Sequence, residues 1–227
     1  SNIDAICHAL KQISQRKRRT IRPGESMFFD NTRKPTGFGG QVMVALMNLG
    51  HRSLSDWGLR FLSLPANACA LDCGCGGGAS LKKLLKKCPA GKVKGVDYAE
   101  ISVNKSRQLN RKAIQAGRCE VLQASVAALP FADGQFDLVT AFEAVYFWLA
   151  LAQSFGEIRR VLKPGGTFLI CNECGGENKK DEKWTRVVDG MTIYTAAQLQ
   201  SLLKQAGFDS IQIHRHSRGW LCVTARK

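Results

Sequence analysis

Short apolar runs alternate with stretches of helical spacing through the second half of the chain. Residues 68–71, 92–96, 119–123, 136–140 and 167–172 are short runs with apolar residues at their centres, which predicts strands. Between them, 80–87 places Leu81, Leu84 and Leu85 on one helical face. A basic helix over 101–116 is closed by Gly117, and a further helix covers 151–161. Such alternation calls for a parallel sheet with helices on both faces. The end of the chain changes pattern. Thr195 starts a helix through Ala206 with Gly207 as its stop, and strands over 209–216 and 220–225 flank the turn Ser217-Arg218-Gly219. The predicted architecture is α/β, a doubly wound, mostly parallel seven-stranded sheet ending in an antiparallel hairpin.

The first 64 residues read as a helical N-terminal extension or cap ahead of a domain over 65–227. Ile3, Ile6, Leu10 and Ile13 keep a helical period until Pro23-Gly24 breaks it, and Gly37–Gly40 is a joint before an apolar helix over 42–47. Asn48-Leu49-Gly50-His51 stops that helix, where His51 reads as a capping or surface histidine or as a side chain overhanging a ligand. Ser55-Asp56 is expected to cap one more helix reaching Leu64.

Chemistry concentrates where the first strand ends. Asp72 is followed by Gly74, Gly76 and Gly78 before the helix of Leu81 begins, the strand–glycine turn–helix opening of a Rossmann-like nucleotide-binding unit. Asp97 closes the second strand 23 residues beyond Gly74, near the spacing of a carboxylate that accepts from ribose hydroxyls.

Composition narrows the class. The 227 residues are 44% hydrophobic and 22% charged, enough for one large core. No apolar run reaches the ~18 residues of a membrane span, and no export-signal pattern opens the chain, so no membrane partner is expected. Nine cysteines, an odd number with several inside strand-like runs, indicate reduced thiols and a cytoplasmic location. Cys73-x-Cys75 and Cys171-x-x-Cys174 have the spacing of zinc half-sites, but the first pair falls in the glycine turn, and no metal is expected. The net charge is +15, of which residues 1–34, with eight basic and three acidic side chains, supply +5. That leaves RNA as a possible partner of the basic arm. The pairs Lys82-Lys83, Lys86-Lys87, Arg159-Arg160 and Lys179-Lys180 read as solvated helix faces.

From about Leu64 onward the chain resembles the class I S-adenosylmethionine-dependent methyltransferases. The resemblance is carried by Leu71-Asp72-Cys73-Gly74-Cys75-Gly76-Gly77-Gly78, by Gly95-Val96-Asp97-Tyr98, and by Ala128-Leu129-Pro130-Phe131 before Phe136-Asp137-Leu138-Val139. Val161-Leu162-Lys163-Pro164-Gly165-Gly166 and the closing hairpin complete it. It implies S-adenosylmethionine as cofactor, with Gly74, Cys75 and Gly76 facing its methionine part and Asp72 orienting the turn or approaching the amino group. Asp97 would take the ribose hydroxyls, Tyr98 the adenine ring, and Ser125 and Val126 the adenine edge. Phe142 and Glu143 would reach the methyl-transfer site, where Glu143 is the candidate base and Phe142, Tyr146, Phe147 and Trp148 would line an acceptor pocket or pack helices. No Asn/Asp-Pro-Pro-aromatic run follows the fourth strand and no Pro-Cys nucleophile occurs, which favours a small-molecule acceptor over nucleic acid. An RNA methyltransferase is the first alternative, and a cofactor-binding module without catalysis the second. An NAD(P)-binding oxidoreductase would fit Gly74-x-Gly76-x-x-Ala79, but no Tyr-x-x-x-Lys pair accompanies it.

Overall fold

A computed structural model describes residues 52–178 and 190–227, together with Asp181 and Thr185. The elements expected before residue 51, His51 and the pair Lys179-Lys180 lie outside the described residues. The chain runs α1 (Arg52–Gly58), a single 3-10 turn (Leu59–Phe61), β1 (Cys69–Cys73), α2 (Ala79–Lys87), β2 (Lys92–Asp97), α3 (Glu100–Leu109) and α4 (Arg111–Gln115). It continues through β3 (Cys119–Gln123), β4 (Phe136–Phe142), a 3-10 turn (Val145–Phe147), α5 (Leu151–Val161), β5 (Leu162–Asn172), α6 (Ala196–Gln205), β6 (Asp209–Arg215) and β7 (Leu221–Arg226).

The seven strands lie in the order β3-β2-β1-β4-β5-β7-β6, with β7 antiparallel to both neighbours and the remaining ladders parallel. This is the architecture expected from the pattern, hairpin included. Strand order reverses between β1 and β4, and in such sheets ligands bind outside the carboxyl ends of the strands at that reversal. Both faces are covered. Leu71, Val139, Phe168, Ile170 and Val223 pack against α5 and α6 through Phe155, Ile158, Leu199 and Leu203. On the other face Ala70, Val93, Leu138 and Leu169 meet Leu54 of α1, Leu81, Leu84 and Leu85 of α2, and Val103 of α3.

Several boundaries differ from expectation for identifiable reasons. Ser55 and Asp56 do not cap a helix; they lie inside α1, where Lys83 Nζ donates to Ser55 Oγ at 2.7 Å and meets Asp56 Oδ1 at 2.8 Å. The helix over 101–116 is two helices broken at Asn110, whose buried side-chain amide donates to Ser106 O and Gly78 O. β1 runs on through Asp72 and Cys73, because Asp72 pairs in register with Gly95 and Thr140. β4 extends to Phe142, paired with Cys171, and β5 starts early at Leu162, paired with Phe136 ahead of a register shift. Lys163 has a structural task there. Its Nζ lies 2.8 Å from both oxygens of Asp137, whose Oδ2 also accepts from Cys69 N, tying β1, β4 and β5 together.

The loop carrying Leu129-Pro130-Phe131 is pinned to α5 by Arg160. Its guanidinium donates to Glu157, Asp133, Phe131 O and Leu129 O, while Glu157 Oε2 accepts from Leu129 N at 2.8 Å. Truncating Arg160 leaves two carbonyls and two carboxylates without that donor. Arg160→Ala is therefore expected to cost about 2 kcal/mol and lower the melting temperature by several degrees. A melting curve identical to wild type would show that the loop is held by other contacts.

Candidate functional site

The turn after β1 is built from backbone that only glycine adopts easily. Gly74, Gly76 and Gly78 have φ of 75°, 50° and 82°. Gly74 N and Cys75 N both donate to Val96 O, at 2.8 and 3.0 Å, so the turn is stitched to the end of β2. Gly78 begins α2 in the left-handed region. A Cβ there would stand 2.3 Å from Ser106 Oγ and 2.5 Å from Asn110 Nδ2. Gly78→Ala combines steric overlap with a strained φ and is expected to destabilise by about 3 kcal/mol, readable as a shift in the urea midpoint. At Gly76 the space where a Cβ would point is open among the described residues, with none of their atoms within 4 Å.

Asp97 closes this cradle. It is 8% exposed, and its carboxylate spans two segments: Oδ2 accepts from Gly76 N at 2.9 Å and Oδ1 from Ala99 N at 2.9 Å. Burial raises its pKa, against the lowering effect of those two N–H donors. Each oxygen keeps a second lone pair, so the group retains two acceptor positions toward a ligand. Tyr98 follows with a 41% exposed side chain, and its carbonyl accepts from Gln123 Nε2 at 3.0 Å. Ser125 is exposed at the end of β3, with Oγ accepting from Ala127 N, whereas Val126 turns into the core of the α5–α6 layer.

Asp72 lies deeper, 1% exposed, accepting a 2.7 Å hydrogen bond from Thr140 Oγ1. Burial raises its pKa to about 7; the Thr140 bond opposes the shift and the Asp97 charge adds to it. Cys75 is buried among Leu81 and Val103 on the α2 side, so only its backbone is offered to the turn, and burial holds its thiol well above the ordinary range.

At the end of β4 the chain kinks. Glu143 has φ 56°, a region uncommon for any side chain but glycine, and its N–H donates to Cys171 O at 3.0 Å. Its carboxylate is buried and accepts from Glu173 N and from Tyr146 Oη, the latter at 3.1 Å. Tyr146 Oη in turn accepts from Cys174 N at 2.8 Å. Burial first, and the charge of Glu173 second, push Glu143 well above the usual carboxylate range. Glu143 thus ties the ends of β4 and β5 together. The four aromatic residues do not form one cluster. Phe142 packs on the α1–α3 side of the sheet, Tyr146 joins the Glu143 network, and Trp148 packs edge-on to Phe155. Phe147 contacts Tyr146 edge-on and is half-buried.

Asp72, Gly74, Cys75, Gly76, Asp97 and Tyr98 are therefore gathered around one turn, Ser125 and Val126 follow the neighbouring strand, and Glu143 follows the strand on the other side. Asn110 and Ser106 were not singled out from the sequence. Their only signal is a polar pair in an otherwise helical segment, and their contact with Gly78 spans 28 to 32 positions. Among the described residues no group of three or more His, Cys, Asp or Glu side chains is placed to hold a metal ion. Nor is any helix long and apolar enough to cross a membrane.

Residues 71–170 match the family described as methyltransferase domain. Among curated proteins, the cycloartenol-C-24-methyltransferase 1 of Oryza sativa subsp. japonica is 32% identical over 150 residues, covering 62% of this chain and 43% of that protein. The 24-methylenesterol C-methyltransferase 2 of the same organism is 37% identical over 99 residues, covering 44% of this chain and 27% of that protein. The chain thus spans less than half the length of these relatives. A solved S-adenosylmethionine-dependent methyltransferase from Aquifex aeolicus superposes with a TM-score of 0.69 at 21% identity, over 82% of this chain and 97% of that one.

Proposed function

We propose that this chain is a class I S-adenosylmethionine-dependent methyltransferase, a reading supported by the match of residues 71–170 to the methyltransferase domain, and that it transfers a methyl group to a small-molecule acceptor. The observation that carries the proposal is the Asp97 clamp. A buried carboxylate bonded to Gly76 N and Ala99 N keeps one acceptor position per oxygen, beside an exposed Tyr98 and the open space over Gly76. That set suits a cofactor with paired ribose hydroxyls, a flat adenine and a cationic end. Bound S-adenosylmethionine supplies a methyl group already activated on a sulfonium. The chain's own contribution is then alignment and exclusion of water, worth several kcal/mol.

Asp97 would hold the ribose, Tyr98 the adenine face, Ser125 and the backbone at Val126 the adenine edge, and the backbone of Gly74, Cys75 and Gly76 the methionine part. Asp72, beneath the turn, would place negative charge toward the cationic end. Phe142 and Glu143 would shape the backbone near the transferred methyl. Glu143 already accepts from Tyr146 and Glu173, which supports a positioning role over that of a base. Residues 65–227 would form the catalytic domain and residues 1–64 a helical cap over the strand ends. A cytoplasmic location is supported by the free thiols Cys69, Cys73, Cys75, Cys88, Cys119, Cys171, Cys174 and Cys222.

The relatives named for sterol substrates favour a small apolar acceptor over RNA. Incubation with methyl-labelled S-adenosylmethionine and either a lipid extract or total RNA tests the choice. Label is expected in a small lipid-soluble product. Label in RNA instead would overturn the acceptor class while leaving the cofactor assignment standing.

A further inference from the structure

Basic residues that are far apart in sequence converge on the α2–α4 side of the sheet. Asn110, which precedes α4, donates to Gly78 O at the start of α2 at 3.1 Å. Arg118, just beyond α4, donates to Leu85 O at 3.2 Å and Cys88 O at 2.6 Å at the other end of α2. α4 is thus flanked by residues tied to the two ends of α2, and the apolar residues Leu81, Leu84, Leu85, Ala113 and Ile114 of the two helices belong to the same core layer. Their charged side chains are all basic. Lys82, Lys86, Arg111 and Lys112 are exposed, Lys83 and Lys87 are half-buried with Lys83 paired to Asp56 of α1, and neither helix contains an acidic residue. Leu109, just before the junction, is a 38% exposed apolar side chain amid this charge.

We propose that this face, α2 and α4 with Leu109, docks the protein on an anionic lipid bilayer. The chemistry favours a bilayer over nucleic acid. Five of the six charges on the two helices are lysines, compact point charges without the planar fork that grips a phosphate in two places. Neither helix carries an aromatic ring on which a base would stack. An exposed leucine set among basic residues is the combination that interfacial binding uses, apolar area plus attraction to acidic headgroups. Each lysine or arginine near an anionic leaflet changes partitioning about fivefold, so several together give measurable adsorption without a membrane-spanning helix. The inference is independent of the acceptor, since it concerns a face on the flank of the sheet.

Co-sedimentation with vesicles tests it, using phosphatidylcholine alone and phosphatidylcholine with 30% phosphatidylserine as the two surfaces. The full chain is expected to bind only the mixed vesicles and to be released as salt is raised. Lys82→Glu, Lys86→Glu, Arg111→Glu and Lys112→Glu combined should weaken that binding at least about a hundredfold while S-adenosylhomocysteine affinity and melting temperature hold. Should the fourfold reversal fail to fold, Lys82→Gln with Lys86→Gln is expected to lose about twentyfold. Undiminished binding by a folded variant would overturn the proposal and move the activity to the basic residues 11–34. Equal binding to both vesicles, no binding to either, or stronger retention by RNA at matched charge would also overturn it.

Discussion

Asp97→Ala is expected to weaken S-adenosylhomocysteine binding by a hundredfold or more, the largest effect of any single substitution in this chain. Two hydrogen bonds from ribose hydroxyls to an ionised carboxylate are together worth about 3–6 kcal/mol, and the alanine loses both. It also releases Gly76 N and Ala99 N, which Asp97 holds at 2.9 Å each, so the glycine turn keeps only its backbone ties to Val96 at the end of β2. Asp97→Asn separates the two contributions. The amide keeps one acceptor oxygen for the turn but replaces the other with a donor, and should retain most stability while losing much of the affinity. Titration calorimetry on both variants, beside a melting curve, reads them apart. Wild-type affinity in Asp97→Ala would mean that the carboxylate serves the turn alone.

The second large effect is a pH dependence centred on Asp72. Its pKa in the folded chain is raised from 3.8 to about 7 by burial, with the Thr140 hydrogen bond pulling the other way and Asp97 adding to the rise. Below pH ~4 the group is protonated in the folded and unfolded chain alike. Between pH ~4 and ~7 the folded protein keeps a proton that the unfolded chain gives up, so stability falls as pH rises through that interval. Above pH ~7 the loss is complete, on the order of 4 kcal/mol for a fully buried group. Asp72→Asn keeps an acceptor for Thr140 and removes the titration. The variant should melt close to wild type at pH 4 and several degrees above it at pH 8. A difference that does not change with pH, or a variant less stable at pH 8, would contradict the burial of an ionisable Asp72. The same group predicts a cofactor effect of opposite sense: a cationic ligand favours ionised Asp72, so affinity should rise with pH through 7 and do so less in Asp72→Asn.

Much of this was legible from residue pattern alone because it is local. β3 and α5 end where the apolar runs end, and the Thr195 capping box, with Gln198 Oε1 accepting Thr195 N at 2.8 Å and Thr195 Oγ1 accepting Gln198 N at 3.2 Å, starts α6 where sequence places it. The glycine turn and Asp97 were visible for the same reason: their types and spacing are set by backbone geometry within one strand–turn–helix unit. What stayed hidden depends on contacts across the chain. The break between α3 and α4 follows from Asn110 reaching Gly78, 32 positions away. Asp72 belongs inside β1 because it pairs in register with Gly95 and with Thr140, 68 positions on, whose hydroxyl also donates to its carboxylate. Phe142 reads as a pocket wall or a packing residue beside Tyr146 and Trp148, and strand alternation puts it in the core layer on the other side of the sheet from the one Trp148 packs against. Glu143 could be placed after β4, but its left-handed backbone and its bonds to Tyr146 and Glu173 needed the neighbouring strand end. The basic pairs Lys82-Lys83 and Lys86-Lys87 read as separate solvated faces, whereas the ties at both ends of α2 bring them beside Arg111 and Lys112.

The most direct test is a calorimetric titration of the unmodified chain with S-adenosylhomocysteine and, in parallel, with NADH and NADPH. One-to-one binding of S-adenosylhomocysteine in the micromolar range, with no heat from either nicotinamide cofactor, is the expected result. Binding of a nicotinamide cofactor and silence toward S-adenosylhomocysteine would contradict the role assigned to Asp72, Asp97 and the glycine turn between them.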